Sequence, residues 1–177
     1  MRLIIGGVVA GIAMWFLGYV FYGVLFGYGW SVAPEATSLA IQAALKALPH
    51  SGQYIIPGGD TPAAIAAYQA GPIAEISYNT QGFPMLDPVS LIGGLFQFVV
   101  VAAMVGLLLQ GLGQRGFGER ARVVIGLAAV AVVYIHFASP IWYHGGWRHA
   151  LFLSVADFVI LTAGGLVMAR WFVRVRG

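Results

Sequence analysis

The sequence predicts an all-α membrane protein, a bundle of four transmembrane helices carrying a small α/β extracytoplasmic cap. Three observations lead there. Of 177 residues, 60% are hydrophobic and 8% are charged, whereas soluble chains carry about a quarter charged residues. Four stretches are apolar for long enough to cross a hydrocarbon core, which takes roughly 20 helical residues. Most prolines and four of the six acids fall in one segment between the first two stretches. Nine basic and six acidic residues cannot coat a soluble domain of this size, so soluble enzyme folds are excluded first. The absence of cysteine excludes disulfides, iron–sulfur clusters and thiolate zinc sites.

The first span occupies residues 1–28 and runs uncharged from Leu3 to about Tyr28. Its apolar run exceeds the ~7–15 residues of a cleavable signal core and reads as a retained span. Residues 89–177 hold the other three. The second runs from about Val89 to Leu112. The third and shortest, from Val123 to about Ser139, contains His136. The fourth, from about Ala150 to Ala169, contains Asp157. Arg2, Arg115, Arg120, Arg122, Arg170, Arg174 and Arg176 fall on one side of this arrangement, and only Lys46 and Arg148 on the other. The positive-inside rule then places both termini and a 113–122 loop in the cytoplasm, with the cap periplasmic or extracellular. The expected setting is a bacterial inner (cytoplasmic) membrane. Trp30, Trp142, Tyr143 and Trp147 mark its outer interface, and Trp171 and Phe172 its inner one.

The cap spans residues 29–88. A helix is expected from Glu35 to Leu48, beginning after Pro34. Asp60-Thr61-Pro62 reads as a second helix start, with Asp60 as N-cap and the helix ending near Gln69 before Gly71-Pro72. Gln53 to Ile56 and Ile73 to Tyr78 read as short strands. A core that small is marginal alone and should lean on the bundle.

Several of these features occur together in a recognisable order. They are a glycine-rich first helix (Gly6 to Gly18), an ALKALP-like run (Ala43 to Pro49) and a G-x-Y-x-x-P-G turn (Gly52 to Gly58). An AGP…Y…G-x-P-M stretch (Ala70 to Met85) and a D-x7-G-L-V-M-A pattern (Asp157 to Ala169) follow. The chain resembles an uncharacterised family of bacterial four-span integral membrane proteins. The resemblance implies the four-span topology and carries over no functional residue.

An ionisable group in hydrocarbon costs at least ~2.5–3.5 kcal/mol at mid-span and should be paired. Asp157 is the one acid among the apolar stretches, and at 1.5 Å per residue it lies about 12 Å below the outer end of span four. Counting places Gln97, His136 and Tyr19 at comparable depths on the other spans. These four residues form the candidate polar site. Asp157 is expected to bond to Gln97, Ser154, Tyr19 or His136, with His136 as its charged partner. Two functions are open to such a layer, structural glue between helices or a proton- or cation-responsive site. The spacing of His136, His144 and His149 matches no metal motif, and a bis-histidine haem site would need a second histidine inside a span. No metal and no cofactor is expected.

Small residues are expected at helix contacts, with Gly7, Gly11 and Gly18 on span one, Gly93, Gly94, Ala102, Ala103 and Gly106 on span two, and Gly164 on span four. No H-E-x-x-H, G-x-S-x-G, P-loop or close pair of carboxylates is present, so no catalytic residue is assigned. Basic residues form no stripe interleaved with aromatics, and nucleic acid is not an expected partner. The expected function is a non-enzymatic scaffold or accessory subunit that binds a protein partner or lipid. The expected partners are the lipid bilayer and either further copies of the chain or another membrane protein. The alternative is a small oligomeric transporter or channel built on the Asp/His/Gln layer.

Overall fold

The computed structural model describes residues 1–113 and 116–173, so Arg115, Arg174 and Arg176 of the charge pattern lie outside the described residues. The chain is mostly helical, with α1 (Arg2–Tyr19), α2 (Phe26–Gly29), α3 (Glu35–Leu45), α4 (Pro62–Ala70), α5 (Pro88–Gly111), α6 (Phe117–His136), α7 (Ala138–Trp142) and α8 (Trp147–Val167). Strands β1 (Gly52–Ile56) and β2 (Ala74–Tyr78) pair antiparallel, Gln53 opposite Ser77 and Ile55 opposite Glu75. Four helical segments are long and apolar enough to cross a membrane: Arg2–Val24, Pro88–Gly111, Phe117–Trp142 and Trp147–Phe172.

The packing order is α5, α1, α8, α6, with α1 and α8 inside and α5 and α6 flanking them. Small residues permit this. A Cβ on Gly7 would stand 3.2 Å from the Val99 carbonyl, and one on Gly11 would stand 2.8 Å from the Val99 backbone. Gly164 takes the Met14 side chain and Gly165 takes Val124. Gly6 meets Phe172 and Met168, a contact that the glycine spacing did not single out, and Gly106 meets Met168. Gly93 and Gly94, by contrast, face open space. The packed part of the expected small face of α5 is Ala102, Ala103 and Gly106.

Three boundaries differ from expectation. Span three is 26 residues long, no shorter than its neighbours, because α6 begins at Phe117. Arg120 and Arg122 are therefore helical, and the loop expected over 113–122 is correspondingly shorter. An apolar run locates hydrocarbon, whereas a helix starts where its amides find acceptors, here Arg120 N to the Gly116 carbonyl at 3.2 Å. Arg120 is also buried, and its Nη1 donates to the Val173 carbonyl at 2.7 Å, a cation at the C-terminal end of the last helix. Span one is not one continuous α-helix, since Val20–Val24 is π-helical and Leu25 (φ −94°, ψ 9°) breaks it before α2. In the cap, the N-cap of α4 is Thr61 rather than Asp60. Its Oγ1 accepts from Ala64 N at 3.2 Å, and Pro62 takes the first helical position.

The cap consists of α3, α4 and the β1–β2 sheet, and no residue from 31 to 90 is buried. It meets the bundle where Ser139 Oγ donates to Glu75 Oε2 at 3.3 Å.

Asp87 caps α5. It accepts from Val89 N at 3.2 Å, from Ser90 N at 3.0 Å and from Ser90 Oγ at 2.6 Å. The Ser90 hydroxyl is the main cause that holds its carboxyl below the usual aspartate value, with the two amides adding to it. Folding therefore favours the ionised form. The cap's stabilisation is complete above the unfolded value of ~3.9 and is lost as pH falls through the lower folded value. Amide exchange at Val89 and Ser90 should accelerate in that acid window. Asp87→Asn, which still accepts but does not titrate, should flatten the dependence.

Candidate functional site

The polar groups of the spans meet at the middle of α8, around Asp157. Asp157 Oδ2 lies 2.7 Å from His136 Nε2 on α6. Its Oδ1 accepts from the Tyr22 hydroxyl in the π-helical turn. One carboxylate thus joins three of the four spans. The His136 side chain is 11% exposed and that of Asp157 33%. His136 is the last residue of α6.

His136 and Asp157 are brought together. Tyr19 and Gln97 are not, since both lie on exposed helix faces. Ser154 donates instead to the Ala150 carbonyl at 2.8 Å. The reason is rotation. The inner face of α1 carries Gly7, Gly11, Met14 and Gly18, and the next position on that stripe is Tyr22, four residues beyond Gly18. Tyr19 follows Gly18 directly and is turned by about 100°. The stripe of glycines is therefore a signal that points to Tyr22. Gln97 likewise precedes Phe98, which packs on the core, and points away from it.

Above this cluster, aromatic and polar contacts tie the end of span one to the start of α8. Trp30 stacks on Phe26 (4.6 Å between centroids) and meets His149 and Phe152 edge-on at 4.6 and 5.7 Å. Arg148 donates to the carbonyls of Tyr28 (2.8 Å) and Gly27 (2.9 Å), the free end of α2. Tyr22 touches Trp30 edge-on at 6.2 Å. Chemically, the Tyr22–Asp157–His136 group can hold a proton at either end of the carboxylate and can cross-link helices. Among the described residues no three His, Asp or Glu side chains converge as a metal site.

Four helices long and apolar enough to cross a membrane, three of them joined by a polar cluster, fit the class of multi-pass helical membrane proteins. Compared with known protein families, with curated proteins and with solved structures, the chain finds no match in any of the three.

Proposed function

We propose that this protein is a non-enzymatic scaffold or accessory subunit of a bacterial inner membrane. Both termini are cytoplasmic, the cap lies on the outer side, and the cap docks a protein partner. The observation that carries this reading is the cap's lack of a core. None of its residues is buried, and Leu39, Ile41, Ile55 and Ile65 are about half exposed or more. A module that holds its fold without interior burial completes it against another surface. The polar cluster supports the same reading, because its hydrogen bonds are spent between helices. Native mass spectrometry of the detergent-solubilised full chain should show a second polypeptide at fixed stoichiometry, and Leu39→Glu with Ile65→Glu should release it. A wild-type chain carrying no polypeptide partner would sink the idea.

One observation favours the alternative, a small oligomeric transporter or channel. Asp157 is a third exposed and its partner Tyr22 sits on non-α-helical backbone, as ion-binding groups in transporters do. That reading requires ion flux in proteoliposomes that Asp157→Asn abolishes.

A further inference from the structure

We propose that the cleft between the cap sheet and the turn joining α7 to α8 binds a primary ammonium group, held by the Glu75 carboxylate. The cleft has a volume of about 450 Å³, within the ~300–1,000 Å³ of small-molecule sites. One wall is a single face of the sheet. Gln53 pairs with Ser77, and Glu75 stands two residues before Ser77 on the same strand, so strand alternation puts all three on one side. The other wall is Ser139, Tyr143, His144 and His149. His144 turns the chain there in a left-handed conformation (φ 57°) that is uncommon outside glycine.

The hydrogen-bond inventory selects the ligand. Among the described residues Glu75 receives one bond, from Ser139 to Oε2, which leaves Oε1 to accept. Gln53 commits its amide nitrogen to Ser77 Oγ at 3.1 Å, which leaves its carbonyl oxygen. His149 Nδ1 lies 3.1 Å from the Gly29 carbonyl. A carbonyl only accepts, so Nδ1 carries a proton. Two acceptors, Glu75 Oε1 and the Gln53 carbonyl oxygen, thus belong to the cleft lining, and Glu75 is its one carboxylate. Glu75 forms no ion pair among the described residues. Arg148, next to His149, is turned to the carbonyls of Gly27 and Tyr28 and lines the adjoining cleft instead. A single metal ion does not suit a space this large, and no three His, Asp or Glu ligands converge among the described residues. A primary ammonium brings three donors and one positive charge, and the Tyr143 ring offers a face for it to rest against.

Tyr143 and Gly146 of the cleft lining are sequence neighbours of Trp142 and Trp147, the aromatics expected at the outer interface. The ammonium therefore belongs either to a soluble amine or to an ethanolamine lipid headgroup, and the test separates the two. Purified full-length protein in detergent is titrated with ethanolamine by calorimetry. The same protein is reconstituted in phosphatidylcholine vesicles with or without phosphatidylethanolamine, then extracted for native mass spectrometry. Binding of free ethanolamine, weakened about 10- to 100-fold by Glu75→Gln, identifies a soluble amine; that range is expected for loss of a charge-assisted hydrogen bond. No binding of free ethanolamine, with phosphatidylethanolamine retained over phosphatidylcholine and lost in Glu75→Gln, identifies the headgroup. Glu75 is exposed and glutamine preserves its shape, so the variant should fold, and an unchanged elution profile checks this. Glu35→Gln, an acid on α3 outside the cleft, should leave binding unchanged. Failure of both ligands, or equal binding by wild type and Glu75→Gln, overturns the assignment. The site also stands apart from partner docking, since either can fail without the other.

Discussion

Asp157→Leu should destabilise the bundle by up to about 2–6 kcal/mol, because it strands two part-buried polar groups at up to ~1–3 kcal/mol each. Those groups are the Tyr22 hydroxyl and His136 Nε2, which now share the one carboxylate. The lower part of the range applies where the separated helices find other partners, as hydrogen bonds inside membrane bundles average ~0.6 kcal/mol. Asp157→Asn should cost about 1 kcal/mol or less. Its oxygen still accepts from Tyr22, and its amide donates to His136 Nε2 once the imidazole proton moves to Nδ1. Two further variants fix the geometry. Tyr22→Phe should be destabilising and should couple to Asp157→Leu in a double-mutant cycle, whereas Tyr19→Phe should be silent. Thermal or detergent unfolding of the four proteins provides the measurement. An Asp157→Leu protein as stable as wild type would show that the cluster does not hold the helices together.

Gly11→Ala should cost about 1–3 kcal/mol, the range for overpacking a close-packed interior. The added Cβ would meet Val99 Cγ2 at 2.6 Å and the Val99 Cα and N at 2.8 Å. A side chain can rotate away, but backbone cannot, so α1 and α5 must separate along their whole seam. Gly93→Ala is the matched control. Nothing lies within 4 Å of its Cβ, and alanine in a helix is favoured over glycine by up to ~1 kcal/mol. The two substitutions should therefore shift the unfolding midpoint in opposite directions. Equal effects would mean that α1 and α5 do not approach through Gly11.

Much of the architecture was legible without coordinates, for reasons that are local. Span existence follows from the length of uncharged runs. The helix that opens after Pro34, the short strands on either side of 57–73 and the turn at Gly71-Pro72 follow from residues that restrict their own backbone. The helix face of α1 was legible too, since Gly7, Gly11 and Gly18 all lie at its contacts. Extending that same face by one turn leads to Tyr22.

The sequence by itself determined four apolar helices, a proline-rich cap between the first two and an ionisable pair to be accommodated among the spans. Tertiary structure alone decided which side chains meet. Tyr22 rather than Tyr19 reaches Asp157, Gln97 faces outward, and Arg120 turns inward to the Val173 carbonyl. The physical reason is angular. Hydrophobicity and depth accumulate along a helix axis at about 1.5 Å per residue and tolerate a one-residue error, but that same error swings a side chain by about 100°. Rotation about the axis is set by which small residues let neighbouring backbones approach, and that is a property of two helices together rather than of either one alone.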